Sequence, residues 1–196
     1  MITTPLAILD QAELLQLALN ASSNNDSGTA IIYLKEAVSR SDATGKAHFI
    51  LGAEYAQIRM YDRALTELEA AIALDPTLSI ARFQLGLLWL TSDAPDKALD
   101  ILRPLDELTS ANALSHFARG LICLINNEFT DALQSLQEGI QRNTENPALN
   151  QDMQKIVDEL HKLPSENYRE GEAGASENTS AHHIFLSAYT GKENMQ

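Results

Sequence analysis

Small and apolar residues return every 34 residues through most of this chain of 196 residues. Glycine, alanine and leucine each mark one register of this period, and the three registers agree without a gap. The residues are Gly52, Gly86 and Gly120, then Ala30, Ala64, Ala98 and Ala132, then Leu34, Leu68, Leu102 and Leu136. A period of this length is typical of proteins in which each repeat is one supersecondary element and neighbouring repeats share a core. The registers frame four repeats, at 11–44, 45–78, 79–112 and 113–146.

Each repeat is predicted to form two helices. Apolar residues recur three and four positions apart, which is the pattern of an amphipathic helix. Turn-forming residues such as Ser92, Asp93 and Pro95 divide the two helical stretches. A glycine inside an exposed helix costs about 1 kcal/mol relative to alanine. The return of glycine with the period therefore indicates that the two helices of a repeat pack closely, and we expect Gly52 to face Ala64.

The second repeat resembles the tetratricopeptide repeat family, whose motif combines small, alanine and large apolar positions in 34 residues. It matches this motif at Leu51, Gly52, Tyr55, Ala64, Leu68, Ala71 and Pro76. The third and fourth repeats keep the glycine, the alanine and the leucine, whereas the first repeat matches least well at the glycine. The resemblance implies an all-α fold, a right-handed superhelical solenoid of antiparallel helix pairs. The motif is specific to a fold and not to one function.

Segments outside the four repeats extend this prediction. Residues 147–163 carry an apolar face and are expected to form a helix that caps the last repeat, so that residues 1–163 make up the solenoid. Residues 164–180 are polar and contain glycine, which is typical of a flexible linker, and residues 181–196 form an apolar tail. Pro104 lies inside the expected second helix of the third repeat, and that helix should therefore kink or end early.

The resemblance also implies a ligand surface, the concave wall formed by the first helix of each repeat. The corresponding positions in this chain are apolar: Leu15, Leu19, Phe49, Ala53, Phe83, Leu87, Leu90, Phe117, Leu121, Leu124 and Ile125. The residues with which the family holds a terminal carboxylate are missing from these positions apart from Lys46. We therefore expect an apolar groove, with a row of three phenylalanines, that receives an apolar helix or extended peptide. The alternative is that the phenylalanines belong to the core.

The tail contains a candidate occupant for this groove. Its apolar members are Ile184, Phe185, Leu186 and Tyr189. A segment of about ten residues does not hold a helix alone in water. A flexible linker of about 17 residues spans roughly 23 Å, so the segment can reach the groove of its own molecule or of a neighbouring copy, which would make a homo-oligomer. The alternative is an unstructured tail.

Composition argues against several classes of ligand. The net charge of −13 opposes binding to nucleic acid or to an anionic membrane surface. The apolar stretches are shorter than the roughly 18 residues that cross a membrane. The only cysteine, Cys123, excludes an internal disulfide and fits the cytoplasm, and its place in the repeat predicts a buried, inert thiol. His48 and His116 lie two repeats apart, so no metal site is expected, and no motif indicates a cofactor or catalysis.

The sequence therefore favours a non-enzymatic scaffold or adaptor that binds a protein or peptide partner in the cytoplasm. One alternative is a secretion-type chaperone that holds the apolar segment of an export substrate. Small acidic repeat proteins of this kind resemble such chaperones, which usually contain three repeats. A further alternative is an enzyme whose site the sequence does not reveal.

Overall fold

Helices form all of the regular secondary structure in the residues that this computed structural model describes, which are 6–108, 112–163, 184–185 and 187–188. A short 3-10 helix, Leu6–Ile8, comes first. The α-helices within those ranges are α1 (Gln11–Ser23), α2 (Ser27–Val38), α3 (Gly45–Gln57), α4 (Tyr61–Leu74), α5 (Ser79–Thr91), α6 (Pro95–Asp106), α7 (Ala113–Ile125), α8 (Phe129–Arg142) and α9 (Pro147–His161). Each of the four repeats contains one helix pair, and α9 follows the last pair. The predicted all-α architecture is therefore confirmed.

The turn inside each helix pair has the same backbone geometry. One residue in each turn has a positive φ: Asn25, Arg59, Asp93 and Asn127, with φ of 58°, 62°, 55° and 62°. The next residue donates its N–H to the carbonyl five positions back, at 3.0 Å from Asp26 to Ala21 and 2.8 Å from Glu128 to Cys123. These are Schellman endings, which use one left-handed residue to satisfy the last carbonyls of a helix. The backbone conformation of the turn therefore repeats in all four helix pairs, although none of the four left-handed residues is glycine.

Polar side chains fix where helices begin. At the start of α1, the Glu13 N–H donates to the Asp10 carboxylate at 2.8 Å and the Asp10 N–H donates to the Glu13 carboxylate at 2.9 Å. At the start of α3, the Ala47 N–H donates to the Thr44 hydroxyl oxygen at 3.2 Å. An N-cap of this kind contributes about 1 kcal/mol, because it satisfies an N–H that has no partner within the helix.

The chain divides into two compact units, Met1–Leu85 and Gly86–Gln196, with the boundary inside α5. In the first compact unit, the helices α1 to α4 each pack against the next along the chain. A Cβ added at Gly52 would lie 2.9 Å from Leu68 Cγ and 3.3 Å from the Ala64 carbonyl oxygen. The expected approach of Gly52 to Ala64 is therefore confirmed, and Leu68 makes the tighter contact.

In the second compact unit, the helices α6 to α9 also pack in chain order. The glycine contact recurs there, because a Cβ at Gly120 would lie 2.7 Å from Leu136 Cγ. Helix α9 packs against α8 and buries one apolar face, formed by Leu149, Met153, Ile156, Val157 and Leu160. Helix α6 contains Pro104 and ends at Asp106, two repeat positions before the ends of α4 and α8. Helix α2, which contains no proline, ends at the equivalent repeat position, Val38, so the early end of α6 is present but is not specific to Pro104.

Candidate interaction surface

The predicted groove positions of α1 and α3 keep accessible apolar surface. Leu15 and Leu19 lie one turn apart on α1, and Phe49 and Ala53 lie one turn apart on α3, so each pair shares a helix face. Leu19 is 42% exposed, and the other three residues are half-buried. The first compact unit therefore offers apolar side chains to the solvent at these four positions.

The expected row of three accessible phenylalanines is corrected by the structure. Phe83 and Phe117 are fully buried, and only Phe49 keeps accessible surface. The ring of Phe117 fills the space beside Gly139 on α8, where an added Cβ would collide with it. Phe117 therefore packs between the two helices of its own pair, which is the core role that the sequence left open as the alternative.

The remaining predicted groove positions are mostly covered. Leu90, Leu121 and Leu124 are buried, whereas Leu87 and Ile125 are half-buried. These positions on α5 and α7 offer much less surface than their counterparts on α1 and α3. In this conformation a partner can reach the apolar positions of the first compact unit, whereas on α7 only Ile125 among the predicted positions keeps accessible surface.

The candidate docking segment of the tail is described at four residues. Residues 184–185 and 187–188 are helical. Ile184 and Phe185 are only 2% and 1% exposed, while Ser187 and Ala188 are half-buried. The alternative of an unstructured tail is therefore wrong for these four residues. Leu186, Tyr189 and the predicted linker at 164–180 lie outside the described residues.

A second group of accessible apolar residues escaped the sequence analysis. Ile58, Met60 and Tyr61 are all exposed at the turn between α3 and α4. Their exposure was missed because the family's ligand positions do not include this turn. The available signal was the presence of three large apolar residues in one short connection.

Glu54 is a buried carboxylate on α3. Its residue is 4% exposed, and its Oε2 atom has no hydrogen-bond partner. A carboxylate oxygen without a partner is costly to bury. At the equivalent position of the third repeat, Leu88 is buried, so the fold places an apolar residue there when the sequence supplies one. The burial of Glu54 was not predicted.

Two histidines join the first helix of a pair to the second. His48 Nδ1 lies 2.7 Å from Glu67 Oε2 in the first compact unit, and His116 Nδ1 lies 3.3 Å from Glu138 Oε2 in the second. The pKa of Glu138 is lowered, chiefly by the hydrogen bond from the Gln134 side chain and further by the nearby charge of His116. Both histidines therefore have a structural partner within their own pair. Within 6–108, 112–163 and the described tail residues, no group of three or more histidine, cysteine or acidic side chains is arranged to hold a metal ion.

Cys123 is buried on α7, as the sequence predicted. Burial raises the pKa of the Cys123 thiol from 9.0 to about 12. A hydrogen bond to the Glu128 carboxylate and the negative charge of that carboxylate raise the pKa further in the same direction. The thiol is therefore protonated near neutral pH and is a poor nucleophile. Among the described residues, no helix combines the length and the apolar character that crossing a bilayer requires.

Similarity to known proteins agrees with this architecture. The tetratricopeptide repeat family matches residues 52–113. A structure of MamA from Desulfovibrio magneticus RS-1, residue 41 to the end, aligns with a TM-score of 0.62 and 15% identity over 95% of this chain and 99% of that one. A second MamA structure aligns with a TM-score of 0.58 and 21% identity over 71% of this chain and 81% of that one.

A third solved structure is YrrB, described as a tetratricopeptide repeat protein with an unusual peptide-binding site. It aligns with a TM-score of 0.58 and 17% identity over 91% of this chain and 84% of the YrrB chain. Among curated proteins, none matches this chain. At these identities the structural neighbours show the fold. Together with the family match at residues 52–113, they show that the chain has the fold of tetratricopeptide-like helix pairs.

Proposed function

We propose that this chain is a non-enzymatic scaffold that binds an apolar helix or extended peptide of a protein partner. The binding residues are Leu15, Leu19, Phe49 and Ala53, on the first helices of the first two repeats. The observation that carries the proposal is the exposure of Leu19, 42% of whose surface faces solvent, beside half-buried apolar residues on the same helix face. Accessible apolar surface of this kind marks interaction sites on folded proteins.

The chemistry of these positions supports an apolar ligand. Lys46 is exposed at the start of α3, and it is the one cationic residue among the predicted ligand positions. A single lysine does not provide the geometry that holds a terminal carboxylate. The net charge of −13 favours partners whose apolar segment is flanked by basic residues, because opposite charges steer association.

The similarity to YrrB adds to the proposal, because that protein has a peptide-binding site by its description. The proposal includes no catalytic role, because no motif in the sequence indicates one. It also includes a cytoplasmic location, for which the single cysteine is the support. The predicted groove residues Phe83, Leu90, Phe117, Leu121 and Leu124 belong to the binding surface only in a conformation that uncovers them, whereas Leu87 is half-buried and accessible in this one.

A peptide-selection experiment tests this proposal. A phage-displayed library of random peptides is selected against the full chain, and the enriched peptides are synthesised and titrated against three forms of the protein. These are the wild type, Leu19→Glu on α1 and Ile32→Glu on α2. Ile32 is a matched control, since it is an exposed isoleucine of the same compact unit, outside the proposed surface.

We expect Leu19→Glu to weaken binding at least tenfold, which is about 1.4 kcal/mol, because a carboxylate would be buried against an apolar ligand. Ile32→Glu should bind as the wild type does. Equal affinities of the wild type and Leu19→Glu for every enriched peptide would show that α1 is not the binding surface.

A further inference from the structure

Two bulky side chains near the end of the chain are almost completely buried. Ile184 and Phe185 are 2% and 1% exposed, although they are separated from α9 by more than twenty residues. Adjacent residues of a helix point about 100° apart around its axis. Burial of both therefore requires protein on two sides of the helical segment, as in a groove. A flat surface would leave one of the two exposed.

The apolar face of α7 is the candidate partner of this segment. Leu121 and Leu124 are buried at repeat positions where α1 and α3 carry residues with accessible surface, such as Leu19 and Ala53. The second compact unit therefore covers these positions more fully than the first compact unit covers its own. Gly139 explains the burial of the Phe117 ring, but it does not explain Leu121 and Leu124.

Helix α6 packs against α7 as α2 packs against α3, and α8 packs against α7 as α4 packs against α3, so these helices do not distinguish the two units. Beyond the helix pairs, the second compact unit offers two further described elements for this role, α9 and the tail segment. Helix α9 packs against α8, to which its buried face is committed. The tail segment is the other element that brings large apolar side chains, and its own burial requires an apolar partner.

We propose that residues 184–188 are a built-in ligand for the apolar face of α7 in the same molecule. The segment then displays the chemistry of an external ligand for that face, which is an adjacent aliphatic and aromatic pair, Ile184 and Phe185, in helical conformation. This inference rests on the proposed function, because it assigns a second apolar binding face, on α7, to the same scaffold. The tail segment occupies that face and thereby regulates the binding of an external partner.

Tethering explains why such a weak ligand is bound. A helix of this length is not stable alone, but attachment to the same chain holds it at an effective concentration on the order of millimolar. An external peptide of similar affinity competes poorly with a tethered one. A variant in which the tail segment no longer binds α7 should therefore bind an added peptide of the same sequence with a higher apparent affinity.

The test uses a fluorescent synthetic peptide of residues 180–192, titrated by anisotropy into the full-length chain. The proteins are the wild type, Phe185→Glu and the control Gln151→Glu, which adds the same charge at an exposed position of α9. We expect Phe185→Glu to bind the peptide at least tenfold more tightly than the wild type and Gln151→Glu do. A peptide in which Phe185 is replaced by glutamate should not bind any of the three.

A second variant and measurement cover a Phe185→Glu chain that does not fold. In Phe185→Ala, hydrogen exchange of the amides at 117–124 should accelerate together with that at 184–188. Acceleration at 184–188 alone would overturn the proposal, as would equal peptide affinity of a folded Phe185→Glu and the wild type. A wild-type dimer that becomes a monomer in Phe185→Glu would also overturn it, because the segment would then dock in a neighbouring copy.

The result is separable from the test of the proposed function. That test changes Leu19 on α1 and uses selected peptides, whereas this one changes the tail and uses the tail's own sequence. Failure of the Leu19 test leaves the comparison of Phe185→Glu with the wild type fully informative.

Discussion

The ring of Phe117 occupies the space that a side chain at Gly139 would need. In the other three repeats, the residues at the position of Gly139 all have a side chain: Ala37, Ala71 and Leu105. In the second repeat, where alanine takes this place, the ring equivalent to Phe117 is that of Phe49, which is only half-buried. In the third repeat Phe83 is fully buried although Leu105 takes this place, so Gly139 accounts for the packing of the Phe117 ring in its own repeat and not for every buried ring at this position.

Replacement of Gly139 by alanine should destabilise the fold. The added Cβ would overlap the buried Phe117 ring, and overpacking of this kind costs about 1 to 3 kcal/mol. Alanine recovers about 1 kcal/mol of helix propensity. We expect a net loss of up to about 2 kcal/mol in the free energy of unfolding, measured by urea denaturation followed by circular dichroism.

Gly28→Ala is the matched control for that variant. Gly28 lies in the first turn of α2, and a Cβ there would meet only the Asp26 carboxylate, at 3.6 Å. The same substitution should therefore leave stability unchanged or raise it by about 0.5 to 1 kcal/mol. If Gly139→Ala were as stable as Gly28→Ala, the Phe117 ring would not be fixed in its site.

The sequence predicts the local features of this fold well, because they depend on residues that are close along the chain. The helix pairs and the contact of Gly52 with Ala64 both belong to this kind. The accessibility of a groove position is different, since it depends on distant residues. The Phe117 ring is buried against Gly139, which is 22 positions away along the chain. The apolar periodicity of a single helix does not reveal such a contact.

Replacement of Glu54 by leucine should stabilise the fold. The carboxylate oxygen Oε2 is buried without a hydrogen-bond partner, and removal of such a group recovers about 1 to 3 kcal/mol. Leucine is suited to the site because Leu88 is buried at the equivalent position of the third repeat. The control is Glu69→Leu, at an exposed position of α4, which should change stability by less than about 0.5 kcal/mol. A Glu54→Leu chain that melts below the wild type would mean that the carboxylate stabilises the fold.

Valine at position 127 should destabilise the turn between α7 and α8. Asn127 has a φ of 62°, a region that asparagine tolerates and β-branched residues avoid. We expect Asn127→Val to cost about 1 to 2 kcal/mol. Asn126→Val provides the comparison, because Asn126 is also exposed but has a right-handed φ of −81°. Thermal melting of both variants measures the difference, and equal melting temperatures would contradict the prediction.

The left-handed turn residues also show where sequence periodicity loses information. Asn25, Arg59, Asp93 and Asn127 repeat every 34 residues with nearly the same φ, yet their residue types differ. A glycine at these positions would have predicted the turn geometry directly. At these four positions the backbone φ is conserved between repeats, whereas the residue type is not. The structure therefore reveals a fourth set of positions with the 34-residue period, which the sequence alone does not show.

Cys123 should react slowly with alkylating reagents while the chain is folded. Its pKa is raised from 9.0 to about 12, mainly by burial and further by the Glu128 carboxylate. At pH 8 the thiolate, which is the reactive form, is then about a thousandfold scarcer than in an unfolded chain. Iodoacetamide labelling followed by mass spectrometry, with the protein in denaturant as the reference, measures this ratio.

The same pKa shift predicts how stability changes at alkaline pH. The folded pKa lies above the unfolded value, so the folded state favours the protonated thiol. The stability that Cys123 contributes is complete below pH 9 and is lost as the pH rises from 9.0 to about 12. Cys123→Ala cannot ionise, so its stability should fall less steeply than that of the wild type over this range. Identical pH profiles, or native labelling within tenfold of the denatured rate, would show that the thiol is not protected on α7.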